Sequence, residues 1–451
     1  MSYSALTEQL FTSEGMRQVF SARATLQRML DFEAALAEAL AAEAVIPGTA
    51  VVPIRAACDA AGFDLEALAR DAQRAGNLAI PLVKALTGKV ATSDDDAARY
   101  VHWGSTSQDV IDTGRVLQLR DAIDLLAVDL AKLGDTLAAL VHRYRDTPMM
   151  GRTWMQHALP ITFGLKVAGW LDAVLRHQQR LHEMRERVCV LQFGGAAGTL
   201  ASLGSRGLSV AQNLSRRLAL PLPNLPWHAH RDRMAECATV LGLLTGTLGK
   251  IARDISLQNQ TEVGELSEPV AVGRGGSSAM PHKRNPVGCA TALTAATRVP
   301  GLVATMLAGM PNEHERALGG WQAEWDTLPE IASLCAAALT QLRDVAEGLV
   351  VDVARMRKNM DATDGLVMAE PVAIALAAHL GRTTAHDLIE AACHAAVDSG
   401  RPLLQVLAAD SAVTAVIAPG QLAELLDPVH YTGEAAAFAD RVLAAHRQSK
   451  A

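Results

Sequence analysis

Apolar residues recur along this chain at alternating three- and four-residue intervals. Val116, Leu119, Ile123, Leu126, Leu130, Leu133, Leu137 and Leu140 hold that rhythm throughout. The 3.5-residue period places a single apolar seam on a long helix that packs at shallow angles against others. Phe163, Val167, Trp170, Val174, His177, Leu181, Met184 and Val188 repeat it, as do Met234, Cys237, Leu241, Leu244, Leu248, Ile251 and Ile255. One seam alone would fit an amphipathic surface helix; three predict a bundle of elongated helices.

Residues 21–44 are helical in pattern too, with Leu26, Met29, Leu30, Leu36 and Leu40 on one face. Beyond about residue 355 the chain is again helical and Ala-rich, with Glu370-Pro371 suiting a helix start and Gly381 a stop. Strand signals are few. The expected architecture is all-α: an N-terminal helical domain over 1–111, a central long-helix bundle over 112–355 and a C-terminal helical domain over 356–451.

Composition supports this. The 451 residues suffice for about three units of ~150 residues. Half are apolar but only 4% aromatic, so the core is built of Ala, Leu, Val and Met, which favour helices over sandwiches. A net charge of -7 argues against general affinity for nucleic acid or anionic membranes, while leaving local anion sites open. Cys58, Cys189, Cys237, Cys289, Cys335 and Cys393 form no C-x-x-C pair, so buried reduced thiols are expected rather than zinc or disulfides. The N-terminal residues lack a secretory pattern, and the uncharged run from Cys237 to Gly249 is too short to span a bilayer, so a soluble cytoplasmic protein is expected.

Three stretches carry the candidate chemistry. Residues 273–286, GRGGSSAMPHKRNP, are broken by glycines and prolines into a loop holding two serines, several cations and an amide. Such a loop suits an anion, with backbone N–H groups beside Lys283, Arg284 and Asn285, although a solvated linker has the same composition. It lacks the Gly-Lys-Ser/Thr ending of a nucleotide-binding P-loop. Residues 102–109, HWGSTSQD, precede the first long helix, whose start is expected near Asp112 and Thr113; taken singly they read as a capping segment. Residues 151–160, GRTWMQHALP, form a second loop after that helix, and His157 taken alone reads as a hydrogen-bonded structural histidine more readily than as a catalyst. Neither H-E-x-x-H nor Cys/His spacing is present, so no metal and no cofactor is expected.

Together these stretches resemble the fumarase/aspartase superfamily. Residues 276–286, GSSAMPHKRNP, match every fixed position of its G-S-S-x-M-P-x-K-x-N-P signature, and the likeness spans nearly the whole chain. HWGSTSQDVIDTG and GRTWMQHA are closest to adenylosuccinate-lyase-like members and to bacterial 3-carboxy-cis,cis-muconate cycloisomerases; EHERALGGWQAEW, residues 313–325, is similar to the latter. The resemblance implies proton transfer at a carbon next to a carboxylate, through an aci-carboxylate intermediate. Ser277 takes the catalytic-base position, with Lys283 and the loop N–H groups stabilising negative charge. His157 is a second candidate for moving a proton. Ser105, Thr106, Ser107, Thr153, Trp154, Gln156, Arg274, Asn285 and Arg316 would surround a small tricarboxylate substrate.

One departure sorts the sub-families. Where lyases of this group have histidine in G-R-T-H, this chain has Trp154. Amine and water leave poorly unless protonated, and indole cannot protonate them. A carboxylate, whose conjugate acid has a pKa of ~4, leaves or attacks unaided. The expected activity is therefore a cycloisomerase that forms a lactone. An adenylosuccinate- or argininosuccinate-type C–N lyase and a catalytically inactive structural member are the alternatives. The resemblance also implies a homotetramer with shared sites. The Val116–Leu140 seam is about 36 Å long, separating the loops at its two ends within one chain.

Overall fold

The computed structural model describes residues 6–450 except 271, 272, 274, 277, 278, 281 and 317. The chain is all-α and about 70% helical. Its long helices are α1 (Ala22–Ala42), α2 (Ser107–Arg143), α3 (Phe163–Val188), α4 (Asp232–Gln258), α5 (Val287–Ala308) and α6 (Gly320–Glu347). Contacts divide the chain into two units, each assembled from three separate segments. One takes residues 1–131, 177–249 and 291–341, and the other takes 132–176, 250–290 and 342–451.

The three seams lie on α2, α3 and α4. Every seam residue is buried except Leu140, which is half-buried near the end of α2. His177 keeps its place in the second seam because Nε2 is bonded to the Thr247 hydroxyl at 2.8 Å, so a polar ring is tolerated among apolar neighbours. Helix α1 occupies the region patterned as helical at 21–44, with the Ser21 hydroxyl capping it through the Ala24 N–H. A later helix, Ala369–Leu380, begins at the Glu370-Pro371 pair and ends at Gly381, as the sequence predicts. All six cysteines are free thiols; five are buried and Cys393 is half-buried.

Two expectations need correction. Helix α2 starts at Ser107, not near Asp112 and Thr113. Thr106 occupies the N-cap, and the Asp109 carboxylate three residues on accepts its backbone N–H at 3.0 Å, so capping is complete before Asp112. The 151–160 stretch is not a loop. Strand β1 (Pro148–Thr153) pairs antiparallel with β2 (Gln156–Thr162), with a bulge between Met150 and Arg152. A second small sheet pairs β3 (Leu266–Ser267) with β4 (Val350–Val351).

Candidate active site

In the first unit, the 102–107 segment is held by one buried carboxylate. Asp109 accepts backbone N–H groups of Thr106 at 3.0 Å, Gly194 at 3.0 Å and Gly195 at 2.9 Å, together with His228 Nε2 at 2.8 Å. Gly195 takes φ +71°, and a side chain there would stand 3.3 Å from the Gly104 carbonyl. Glycine therefore permits the close approach of the 194–195 and 104–106 backbones. The N-terminus of α2 is acidic where its dipole favours an anion, and the Asp109 carboxylate is almost fully hydrogen-bonded.

One turn further on, Asp112 receives Arg231 through Nη1 at 2.7 Å and Nη2 at 3.1 Å, and Trp321 Nε1 at 2.9 Å. The same guanidinium reaches Glu324 through Nε at 2.9 Å and Nη2 at 2.5 Å. Burial opposes charge on Arg231, but Asp112 and Glu324 outweigh it and raise its pKa. Burial pushes the Glu324 carboxyl up, with Arg231 opposing that rise. This cluster locks α2, the start of α4 and the start of α6 together beneath the loop. Above it, Arg316 Nη1 donates to the Thr106 hydroxyl at 2.9 Å, and Nη2 donates to the Ala196 carbonyl. Two residues expected to bind substrate are thereby joined, while Ser105 and Ser107 flank them, half-buried.

His102 begins the same loop at φ +60°, and its Nδ1 is 2.5 Å from Oε1 of the fully buried Glu33. Burial disfavours the imidazolium, yet the Glu33 carboxylate more than offsets this and raises the His102 pKa.

In the second unit, the hairpin turns through Trp154 and Met155, with φ +52° and +64°. Positive φ at both central residues is the geometry of a two-residue type I′ turn, normally given to Asn-Gly. Here it carries two bulky side chains, with Trp154 94% and Met155 76% exposed. Arg152 lies opposite His157 in the strand register and grips Glu265 with two parallel bonds of 2.9 and 2.6 Å. Glu265 is wholly buried and also accepts Asn359 Nδ2 at 2.8 Å. Burial first, and Arg152 second, lower the His157 pKa, so the ring is neutral at pH 7 and can donate or accept one proton. Thr153 and Gln156 flank the turn and are exposed.

The signature loop lies in the same unit. Its ends are drawn together where Gly276 pairs with Arg284 and the Asn285 N–H donates to the Gly275 carbonyl at 2.9 Å. Glu268 receives the first backbone N–H groups of α5, Gly288 at 3.1 Å and Cys289 at 2.8 Å, which fixes the loop's exit. Lys283 is exposed and Asn285 half-buried. Ser277 and Arg274 lie outside the described residues.

Comparisons with known proteins identify the family. Residues 10–301 match the lyase family model, and residues 365–442 match the adenylosuccinate lyase C-terminus model. The chain belongs to the fumarase/aspartase superfamily. Within it, the chain is 56% identical over 441 residues to a 3-carboxy-cis,cis-muconate cycloisomerase of Pseudomonas aeruginosa, covering 98% of this chain and 96% of that one. It is 55% identical over 440 residues to the protein of the same name from Bradyrhizobium diazoefficiens, covering 98% of both. The crystal structure of 3-carboxy-cis,cis-muconate lactonizing enzyme from Pseudomonas putida is similar with TM-score 0.95 at 53% identity, covering 99% of this chain and all of that one.

Against that superfamily background, the residues that sequence reasoning overlooked are the ones that hold the loops. Asp109 and Arg152 lie inside the quoted stretches, and the T-x-x-D spacing of Thr106 and Asp109 is a visible capping signal. Glu33, His228, Arg231, Glu265 and Asn359 carry no local signal, because each meets its partner across long sequence separations.

Proposed function

We propose that this chain is a cycloisomerase interconverting 3-carboxy-cis,cis-muconate and its γ-lactone, 4-carboxymuconolactone, in protocatechuate catabolism. The observation that carries the reading is 56% identity to a cycloisomerase along 98% of the chain. The hairpin adds a chemical argument, because its tip presents the Trp154 indole rather than a group able to protonate an amine.

In the lactonising direction, an oxygen of one substrate carboxylate forms a C–O bond to the double bond. The displaced electron pair moves onto the carbon next to a second carboxylate, giving an aci-carboxylate dianion. Ser277 delivers a proton to that carbon, and in the reverse direction removes it while the ring carboxylate departs with the C–O pair. Lys283, Asn285 and loop N–H groups stabilise the dianion and the Ser277 alkoxide. Thr106 and Arg316, with Ser105, Ser107, Thr153, Gln156 and Arg274, bind the substrate carboxylates. Trp154 forms an apolar wall beside the conjugated chain, and neutral His157 is the second group able to carry a proton.

We further infer a cytoplasmic homotetramer whose sites draw on more than one subunit, with the chain-order domains 1–111, 112–355 and 356–451. Helix α5 supports the assembly. It is 22 residues long and strongly apolar, yet only 28% of its most apolar stretch is buried within the chain. A bundle of copies would cover it. The loop preceding α2 and the hairpin following it are separated in the chain by a helix of 37 residues, about 55 Å long.

Product analysis tests the activity. In D2O, 1H NMR should show 3-carboxy-cis,cis-muconate turning into 4-carboxymuconolactone with one deuterium on the carbon beside a carboxylate. Unchanged substrate under conditions where the protein is folded would remove the assignment.

A further inference from the structure

The first unit contains a cavity of about 250 Å³ that none of the chemistry above uses. Its apolar walls are Phe20, Met29, Leu78, Ile111 and Pro329, and Arg115 of α2 stands among them. Arg115 stacks its guanidinium 5.6 Å from the Phe20 ring centre, and among the described residues it makes one hydrogen bond, from Nη2 to the Trp325 carbonyl at 3.0 Å. Among the described residues, the remaining N–H donors have no acceptor. Burial draws the Arg115 pKa down to about 10, with Asp326, Asp112 and Glu324 opposing the fall. Asp112 and Glu324 are already engaged by Arg231. Asp326 lines the cavity but is solvent-exposed and makes no ion pair with Arg115.

The half-buried Arg115 guanidinium stands among the lining residues with one hydrogen bond made among the described residues, and a planar carboxylate offers the two parallel acceptors its fork fits. The walls offer the rest of the ligand an apolar seat, and an apolar cavity of about 150 Å³ is enough to hold a benzene ring. We propose that this cavity is a binding site for a small monocarboxylate with an apolar or aromatic body, its carboxylate on Arg115 and its body between Phe20, Met29 and Ile111. Gly114 sets the depth of the pocket, since a side chain there would come within 3.1 Å of the Met29 side chain. The site sits one turn along α2 from Asp112, so its occupant would touch the same helix that carries Asp109 and the substrate loop.

Benzoate is the probe, with benzamide as its uncharged counterpart. Calorimetric titration of the full-length protein, saturated with lactone to block the substrate's own carboxylate sites, should show benzoate binding saturably and at least tenfold more tightly than benzamide. Arg115→Met, which keeps the stem and removes the fork, should weaken benzoate at least tenfold while leaving turnover within twofold; Arg115→Lys should recover only part. Should these variants fail to fold, crystals of the wild type soaked in 4-bromobenzoate give the answer through the bromine anomalous signal. A peak between Phe20, Met29 and Ile111 supports the site. Equal binding of benzoate and benzamide, binding unchanged in folded Arg115 variants, or no peak in the cavity would overturn it.

Discussion

Arg316 and Thr106 lie 210 residues apart in the chain, and the guanidinium of the first donates to the hydroxyl of the second at 2.9 Å. Thr106 sits at the N-cap of α2, where its backbone N–H is already taken by Asp109. Its hydroxyl is thus oriented by Arg316 and keeps a hydrogen to donate, which is the role in substrate binding proposed for it. Arg316→Ala and Thr106→Val should each lower kcat/KM by roughly 10- to 100-fold, the scale of a charge-assisted hydrogen bond. The double variant should fall well short of the product of the two, because the residues act as a unit. Steady-state kinetics of the three variants checks this.

Arg231 faces two buried carboxylates, so its loss leaves Asp112 and Glu324 uncompensated. Arg231→Met should destabilise the fold by about 3–5 kcal/mol, the scale for breaking a buried ion pair from one side. Urea unfolding of wild type and variant measures the difference.

The Glu33–His102 pair makes stability depend on pH with a defined sign. The folded pKa of His102 is raised above its ordinary value of 6.5. Its contribution is therefore fully present below about pH 6.5 and is lost as pH rises through the higher folded pKa. Glu33→Gln should flatten this part of the stability profile between pH 6 and 9. Denaturant midpoints taken across that range would show equal slopes in wild type and variant if the pair were without effect.

Helix register was legible in the sequence because the 3.5-residue seams of α2, α3 and α4 repeat often enough to exclude other periods. The all-α class followed from these seams. The start of α2 was misplaced because hydroxyls and acids are dense from Ser105 to Thr113, and only the Thr106–Asp109 contact selects among them. The hairpin was hidden because Trp154-Met155 is a poor type I′ pair; the pairing of Arg152 with Glu265 across 113 residues ties β1 to a distant segment. The two units combine distant segments, which chain order alone does not reveal. In the candidate site, the three motif-bearing stretches were readable in the sequence, whereas Glu33, Arg231 and Glu265 are defined only by the contacts that folding creates.

Ser277 stands in a Gly-rich stretch of sequence outside the seams, so its removal should separate chemistry from folding. Ser277→Ala should lose at least ~10²-fold in turnover, the ordinary scale for an acid-base group, with little change in Tm. Treatment with a chelator should leave wild-type activity intact. Near-full turnover in the variant would take Ser277 out of the mechanism, and activity lost to the chelator and restored by metal would contradict the metal-free account.

The role proposed for Trp154, dividing lactone formation from C–N cleavage, is read directly by substrate preference. Trp154→Phe should retain much of the lactonising activity, as the proposed role of the ring as an apolar wall requires. Trp154→His should not improve it, because a carboxylate needs no proton at this position. The decisive measurement is the wild-type rate on 3-carboxy-cis,cis-muconate, followed by its ultraviolet absorbance, beside the rates on adenylosuccinate and argininosuccinate at equal enzyme concentration. Rapid loss of the muconate with negligible cleavage of both C–N substrates is the predicted result. Efficient cleavage of either C–N substrate with the muconate untouched would contradict the account and turn attention to His157 and His102 as the acid.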